Sequence, residues 1–264
     1  FRMVDDDFGV RDVERLVGSN KMITVVKVST QGSVEMPLVQ FLPFSFIGGF
    51  SAPSDGSKSE LYNVLSLEFS NSGLADLVQS PSLVRQIDWA SSWPDERKTR
   101  SILFDKNGYF TVLNNFPRVE NYCLMSKTQC YTDFHVDFHG TSVWYHVKKG
   151  MKIFWIVEPT EQNLKMYEEY LRSPENNAFF GDIVEKCARV EVHPGNTLII
   201  PSGWIHGVFT PEDSLVFGGN FLHSRQAMMQ LNVLQGEKRI GINKKYRYPY
   251  SEETVFFHLA KIIK

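Results

Sequence analysis

Short hydrophobic segments with an alternating pattern fill the chain between residues 102 and 221. They are ILF, YFTVL, NYCLMS, TDFHVDF, SVWYHV, KIFWIV, ARVEV, TLIIP, HGVFT and LVFGGNF, and turn signals such as KNG, HPGN and TPEDS separate them. Alternation with a period of two is typical of strands with one buried face. So many short strands in one continuous region predict a β-sandwich or a closed β-barrel.

Helical patterns lie on both sides of this region and interrupt it once. They cover residues 9–18, 74–97, 160–173, 225–238 and 252–263. A strand, KMITVVKVST, follows the first helix, and the segment 47–60, rich in Gly, Ser and Pro, predicts a loop. We therefore predict an α+β chain with a central β-barrel and flanking helices.

Composition narrows the class of protein. With 264 residues, of which 42% are hydrophobic, the chain can bury the core of one large domain. It has no apolar run of the roughly 18 residues that a membrane-spanning helix needs, so no such helix is expected. A net charge of −2 argues against a general nucleic-acid-binding surface. The three cysteines form no CxxC pair, which favours free thiols over a disulfide framework.

Candidate metal ligands lie in the segment TDFHVDFHG. On a strand, the side chains of Asp133, His135, Asp137 and His139 would share one face. Such a polar stripe is also typical of an ordinary solvated strand. Same-face neighbours lie about 6.6 Å apart, so a metal with bonds of roughly 2 Å reaches two of them but not a third. The pairs His135 with Asp137 and Asp137 with His139 therefore compete, and their spacing does not separate them.

A third ligand is expected from a distant strand. His206, in TLIIPSGWIHGVFT, follows a Pro-Ser-Gly turn at the start of a new strand. A lone histidine before apolar residues is more often structural, but here a partner pair exists. Two imidazoles and one carboxylate on one side of a metal leave three adjacent positions open, as in non-haem Fe(II) oxygenases.

Three long strings resemble one known family. They are TDFHVDFHGTSVWYHVKKGMKIFWIVEPT, FFGD and GNTLIIPSGWIHGVFTPEDSLVFGGNFLHS, and VRDVERLVGS, NVLSLEFS and NYCLMS extend the similarity over nearly the whole chain. The strings are similar to JmjC-domain histone lysine demethylases, in particular to the subgroup whose JmjC domain follows a PHD finger. The resemblance implies a double-stranded β-helix, which is a jelly-roll or cupin-like barrel. It divides the chain into an N-terminal lead-in (1–60) packed on the barrel, the JmjC catalytic domain (61–224) and a C-terminal helical extension (225–264).

The resemblance also implies roles for individual residues. It makes His135, Asp137 and His206 the ligands of Fe(II), and it places His139 where close relatives have glycine. We expect His139 to cap the end of the strand or to lie near the mouth of the pocket. The residues expected to bind the cosubstrate 2-oxoglutarate, or to lie beside the iron, are Thr132, Tyr145, Lys152 and Asn220.

Within this last set, Lys152 matches the family's lysine in the context GMKIFW and is expected to pair with the far carboxylate of 2-oxoglutarate. An ammonium in a partly buried pocket pairs strongly with a carboxylate because the local dielectric is low. The hydroxyls of Thr132 and Tyr145 are expected to bind the same carboxylate. Asn220, in GGNFLHS, is expected near the iron, where it would position oxygen or the methyl-lysine.

The implied activity is demethylation of mono- and dimethyl-lysine on histone H3, at lysine 9 or lysine 27, with O₂ as the second cosubstrate. The resemblance also implies a nuclear location and, in the parent protein, a PHD finger upstream of Phe1. Contact with a membrane or with a specific nucleic-acid sequence is not expected. Two rivals stay open, a protein hydroxylase of the same mechanism and a catalytically weak histone-binding scaffold. The presence of all three expected ligands argues against the scaffold.

Overall fold

A computed structural model describes residues 3–45, 60–173, 178–243 and 246–263. The helices are α1 (Val10–Val17), α2 (Leu38–Ser45), α3 (Ser82–Ile87), α4 (Glu161–Arg172), α5 (Phe180–Ile183), α6 (Ala227–Ile240) and α7 (Ser251–Ile263). The strands are β1 (Met22–Lys27), β2 (Gly32–Pro37), β3 (Tyr62–Glu68), β4 (Arg100–Phe104), β5 (Phe110–Asn114), β6 (Tyr122–Ser126), β7 (Tyr131–His135), β8 (Ser142–Val157), β9 (Ala188–Val192), β10 (Thr197–Ile200) and β11 (Ile205–Phe221). The loop predicted at 47–60 lies, apart from residue 60, outside the described residues.

Two long antiparallel strands, β8 and β11, form the centre of the fold. The first half of β8 pairs with β10, and its second half pairs with β9. Similarly, the first half of β11 pairs with β7 and its second half with β6, beyond which the sheet continues through β3 and β1 to β2. Each long strand therefore contributes to two sheets, which enclose a shared interior. This arrangement is the double-stranded β-helix that the resemblance implied, and with the flanking helices it confirms the α+β prediction.

The sequence pattern predicts two strands where β8 is one, and two where β11 is one. Strand β8 continues through the Lys-Lys-Gly segment because Gly150 has φ 71°, and a side chain there would collide with the backbone carbonyl of Asp213. Register shifts between Phe209 and Leu215 mark the facing positions of β11. The prediction of separate strands is wrong because bulges bend each strand where a turn was expected.

Apolar side chains fill the space between the two sheets. Tyr145, Phe154 and Val216 belong to this interior cluster. A second cluster joins α1, α2 and β1 to residues of β6 and β11, and it includes Phe8 packed on Phe217 with ring centroids 6.2 Å apart. The N-terminal elements thus pack against the barrel and extend its sheet. The division of the chain at residues 60 and 224 stays a prediction.

The helical predictions are confirmed with one exception. Helix α4 begins after Thr160, whose hydroxyl oxygen accepts the N–H of Asn163 at 3.1 Å as an N-cap. The segment 74–97 is not one helix, because Pro81 and Pro94 each precede a new short element. Within the described ranges, no helix is long and apolar enough to cross a membrane. The three cysteines are free thiols.

Candidate metal centre

The pairing of β7 with β11 places His135 directly opposite His206. The two rings lie 4.3 Å apart between centroids, although 70 positions separate them in the sequence. A bulge between His206 and Val208 adjusts the register next to this pair. Strand pairing therefore brings the predicted distal histidine to the predicted His-x-Asp segment.

The backbone fixes the orientation of both imidazoles. Nδ1 of His135 lies 2.8 Å from the carbonyl oxygen of Asp133, and Nδ1 of His206 lies 3.0 Å from the carbonyl oxygen of Trp204. Because a carbonyl oxygen only accepts, each Nδ1 carries the donated hydrogen, which leaves Nε2 as the ring nitrogen available to a metal. Burial and the neighbouring His135 ring lower the pKa of His206 to about 4. His206 is thus neutral at pH 7, which is the form that binds a metal.

Asp137 follows the strand and does not belong to it. Strand β7 ends at His135, and Asp137 is an extended residue (φ −61°, ψ 140°) before the 3-10 turn Phe138–Gly140. Its Oδ2 lies 3.7 Å from Nε2 of His206. The expectation that four polar residues line one face of a continuous strand is wrong, because the chain turns away after His135.

The structure separates the two competing ligand pairs. Among the described residues, one group of metal-binding side chains forms, and it consists of His135, Asp137 and His206 with donor atoms within 4.8 Å of one another. His139 is absent from this group. It adopts the left-handed conformation (φ 57°) and is 93% buried, and its ring lies 5.7 Å from that of Tyr248.

The donor set fits a divalent metal. Donors that share one ion at bonds of roughly 2 Å lie about 3–4 Å apart, which is close to the spacing found here. Two imidazoles and one carboxylate are the ligand set of the facial triad, which leaves positions open for other ligands. Asn220 lies beside this set. Its Nδ2 donates to Thr141 Oγ1 at 2.8 Å and lies 3.5 Å from Oδ1 of Asp137.

Lys152 is a buried cation with hydroxyl partners. Its side chain is 1% exposed, and Nζ donates to Ser126 Oγ at 2.6 Å and to Thr210 Oγ1 at 2.7 Å. Among the described residues, it forms no ion pair with a carboxylate. Burial lowers the pKa of Lys152 to about 7. An ammonium held in this way fits an incoming anion, since a buried charge is stable only when it is paired.

A chain of hydrogen bonds links Lys152 to Thr132. Ser126 donates to Asn63 Oδ1 at 2.6 Å, and Asn63 Nδ2 donates to Thr132 Oγ1 at 3.3 Å. Sequence reasoning missed both Ser126 and Asn63. The sequence feature that could have indicated them is a single polar residue in an apolar strand. This feature is weak, because such residues are also common where they have no function.

Tyr145 lies on the opposite wall of the same interior. It is buried, and its ring meets that of Phe154 edge to face at 5.0 Å. Phe154 stands two positions from Lys152 and therefore shares its face of β8. Burial raises the pKa of the Tyr145 hydroxyl above its ordinary value, so it stays a hydrogen-bond donor.

A cavity of about 1240 Å³ lies between α4 and α6 and reaches His135 and Asp137. Its lining includes apolar residues of both helices and several carboxylates. The carboxylates on these helices are Glu161, Glu168, Glu169 and Glu237. Arg239 also lines the cavity, and two of its nitrogens donate to Glu168, at 2.5 and 3.1 Å.

Comparison with known proteins identifies the family. The chain is 53% identical over 262 residues to JmjC domain-containing histone demethylation protein 1 of Caenorhabditis elegans, an alignment that covers 98% of this chain and 24% of that protein. It is 44% identical to Lysine-specific demethylase 2A of Xenopus tropicalis, over 99% of this chain and 22% of that protein. The chain belongs to the JmjC family.

Other features of the comparison add to this assignment. The JmjC chain is also 42% identical to Histone lysine demethylase PHF8 of Danio rerio, over 96% of this chain and 22% of that protein. No protein-family model matches. This JmjC chain spans about a quarter of the length of the first two curated relatives named here. The roles of the seven predicted site residues stay predictions.

Proposed function

We propose that this JmjC chain is an Fe(II)- and 2-oxoglutarate-dependent oxygenase that demethylates lysine side chains of histone H3. One observation carries the proposal, namely the convergence of His135, Asp137 and His206 in a chain whose relatives are named histone demethylases. The relatives' names specify a lysine demethylase but no lysine. We keep mono- and dimethyl-lysine 9 or lysine 27 as the first expected substrates, because they follow from the resemblance of the flanking strings.

In this proposal, His135, Asp137 and His206 are the ligands of the metal. Bound Fe(II) supplies the activation of O₂ that the attack on a methyl C–H bond requires. The residues of the chain contribute geometry. The carbonyl oxygens behind both imidazoles hold Nε2 toward the ion, and the Asp137 carboxylate supplies one negative charge.

The second part of the proposal concerns the far carboxylate of 2-oxoglutarate. Its counter-charge is Lys152, whose buried ammonium is held by two hydroxyls. Strands β8 and β11 pair Ile156 with His206. Lys152 lies four residues before Ile156 on the same face of β8, which is about 13 Å along the strand from the level of His206. A lysine side chain and a five-carbon diacid together fill such a distance. Thr132 and Tyr145 would orient the same carboxylate from the two walls.

The proposed reaction determines how the pocket could distinguish the methylation states of the substrate lysine. Hydroxylation of an N-methyl group gives a carbinolamine, which breaks its C–N bond to release formaldehyde and the amine. Because this step needs no lone pair on nitrogen, all methylation states can react in principle, and the volume of the pocket would select among them. Asn220, whose Nδ2 lies 3.5 Å from Oδ1 of Asp137, is the residue that we propose to contact the methyl-lysine.

Partner and location are also proposals. A histone tail is basic, and four glutamates of α4 and α6 line the cavity next to His135 and Asp137, together with Lys165, Arg172 and Arg239. Glu168 is paired with Arg239, whereas Glu161 and Glu169 form no ion pair among the described residues, so these two carboxylates would attract a basic peptide. We propose that the parent protein acts in the nucleus and carries a PHD finger upstream of this chain.

A peptide panel tests the proposal directly. The purified chain is incubated with Fe(II), ascorbate and 2-oxoglutarate and with H3 peptides that are mono-, di- or trimethylated at lysine 4, 9, 27 or 36. Mass spectrometry should show loss of methyl groups and formaldehyde release, and His135→Ala should abolish both. A peptide that gains one oxygen instead would establish the hydroxylase, and binding without turnover would establish the scaffold.

A further inference from the structure

The turn that presents Asp137 to the metal site has an unusual backbone. His139 and Gly140 follow one another with φ 57° and φ 60°. Two successive left-handed residues reverse the chain, and a residue with a side chain is uncommon there. The direction of the Asp137 carboxylate therefore depends on what holds this turn.

Glu237 of α6 holds the turn from one side. Its Oε1 accepts the backbone N–H of His139 at 2.5 Å, and the Glu237 side chain lies buried between the helix and the turn. The hydrogen bonds inside the turn use the N–H groups of Gly140 and Thr141. The N–H of His139 is thus bonded from outside the turn.

Close packing limits movement of the same turn. A side chain on Gly140 would come within 3.0 Å of the Cα of Gln230 and the Cβ of Val233, both in α6. On the other side, the Ser202 hydroxyl donates to the carbonyl oxygen of Gly140 at 2.5 Å. Ser202 precedes His206 by four residues, so this contact joins the two segments that supply the metal ligands.

We propose that Glu237 is a positioning residue for the Asp137 carboxylate, acting through the hydrogen bond that it accepts from the His139 N–H. The inference rests on the proposed metal centre and extends it to a helix that supplies no ligand. Groups that orient metal ligands without touching the metal commonly change metal affinity by about 10- to 100-fold when they are removed. Glu237 should belong to this class.

Three substitutions separate this role from simple helix packing. Glu237→Gln keeps the shape and an acceptor oxygen but removes the charge. Glu237→Leu removes the acceptor, and Glu237→Asp withdraws it by one methylene. Gln235→Leu, at an exposed position of the same helix, is the matched control.

Cobalt(II) is the probe, because its visible absorption reports coordination geometry without turnover. Each variant of the 264-residue chain is titrated with Co(II) in the absence of 2-oxoglutarate, and the unfolding midpoint of the metal-free protein is recorded. We expect Glu237→Leu and Glu237→Asp to bind Co(II) at least about tenfold more weakly, with a changed spectrum. Glu237→Gln and Gln235→Leu should stay within about twofold of the unsubstituted chain.

Two results would overturn the inference. One is normal Co(II) affinity and a normal spectrum in folded Glu237→Leu or Glu237→Asp. If Glu237→Leu does not fold, Glu237→Asp alone decides the question. The other is an equal loss in Glu237→Gln, which would assign the effect to charge. His135→Ala is titrated in parallel. If it also binds Co(II) normally, the proposed metal centre fails; if it alone loses Co(II), only the role of Glu237 fails.

Discussion

At the scale of the residue, the same kind of backbone hydrogen bond orients both histidines. In each, Nδ1 is bonded to the carbonyl oxygen two residues earlier, that of Asp133 for His135 and that of Trp204 for His206. A strand backbone offers this acceptor without any further side chain. The tautomer that a metal requires is therefore set by the same extended backbone that places the ring.

Substitution of Lys152 tests the cosubstrate site. Lys152→Met should weaken 2-oxoglutarate binding at least about 30-fold, since removing one partner of a buried charged pair costs about 2 kcal/mol or more. Metal affinity should stay near normal, because Lys152 contacts hydroxyls and none of the three proposed ligands. Isothermal titration with 2-oxoglutarate and with Mn(II) measures both quantities. Lys149→Met, on the same strand, is the control, and equal loss of metal in Lys152→Met would show that the assigned role is wrong.

Proton uptake gives a second test of Lys152. Its pKa is lowered to about 7 by burial, so above pH 7 the free protein increasingly holds a neutral amine. A bound carboxylate favours the ammonium and raises this pKa, so binding takes up a proton. The dissociation constant of 2-oxoglutarate should therefore rise between pH 7 and pH 9, by up to about tenfold per unit. Titrations at pH 8 in buffers of different ionisation enthalpy should show the uptake, and a flat profile would contradict it.

The same lowered pKa has a defined effect on stability. In the unfolded chain, Lys152 keeps its ordinary pKa near 10.4 and stays protonated from pH 7 to pH 10. The unfolded state therefore binds more protons in this window, and the contribution of Lys152 to the free energy of unfolding increases as the pH rises. The contribution is least favourable below pH 7, where the buried amine is charged in both states.

His139→Gly separates backbone strain from function. The left-handed conformation costs a residue with a side chain about 1–2 kcal/mol, which glycine avoids. Two effects oppose this gain in stability. Glycine removes the packing of the buried His139 ring on Tyr248, and it increases the conformational freedom of the unfolded chain; together they cost roughly as much as the strain that is relieved. The unfolding free energy should thus change by less than about 1.5 kcal/mol, measured by urea denaturation. Metal content should be unchanged, and a drop to metal-free levels would favour Asp137 and His139 as the ligand pair.

The sequence alone predicts only part of this site. Residue types and spacing select the segment and leave two pairs open. The choice between Asp137 with His135 and Asp137 with His139 depends on where β7 ends and on the φ of His139, and no alternation pattern contains either fact. Asn63 was missed for a related reason, since its contact with Thr132 arises from strand pairing alone.

At the scale of the element, α4 holds β7 in place. The Tyr170 hydroxyl donates to both carboxylate oxygens of Asp133, at 3.0 and 3.1 Å, and the Tyr167 hydroxyl oxygen accepts the N–H of Val136 at 3.2 Å. The two bonded residues, Asp133 and Val136, lie on either side of His135 in the chain. The spacing of Leu164, Tyr167 and Leu171 predicts the buried face of α4, whereas the hydroxyl contacts depend on the tertiary structure.

Tyr170→Phe should loosen this attachment without removing α4. Loss of the hydroxyl should lower the free energy of unfolding by about 1–2 kcal/mol, because a carboxylate loses one donor and keeps the hydroxyl of Tyr131 at 2.9 Å. Metal affinity should fall by less than in His135→Ala, since the Asp133 carbonyl behind His135 remains. Denaturation and Co(II) titration measure the two effects. Tyr109→Phe, whose side chain is partly exposed on another strand connection, is the control.

At the scale of the whole molecule, the C-terminal helix α6 borders the proposed site, and α7 packs elsewhere on the chain. Helix α6 contacts the turn after Asp137, and Trp93 Nε1 donates to Thr254 Oγ1 of α7 at 3.1 Å. A chain that ends at residue 224 should therefore lose Co(II) binding even if its strands still form. One that ends at residue 249 keeps α6 and should bind Co(II) with a lower unfolding midpoint. Circular dichroism and Co(II) titration of both check this, and normal binding by the shorter chain would support residue 224 as the end of a self-sufficient catalytic unit.

The pairing of β8 with β11 has a consequence for biosynthesis. These strands bond along nearly their whole length, although α4, α5, β9 and β10 lie between them in the chain. The sheet with β6 and β10 is complete only when β11 has been synthesised to Phe221, and the sheet with β7 and β9 needs β11 up to Phe209. Until then β8 lacks its main partner strand, and part of its inward face stays uncovered. Such a nascent chain exposes apolar surface for seconds at ordinary elongation rates. Its dependence on chaperones should therefore be greatest in the interval between synthesis of residue 157 and residue 221.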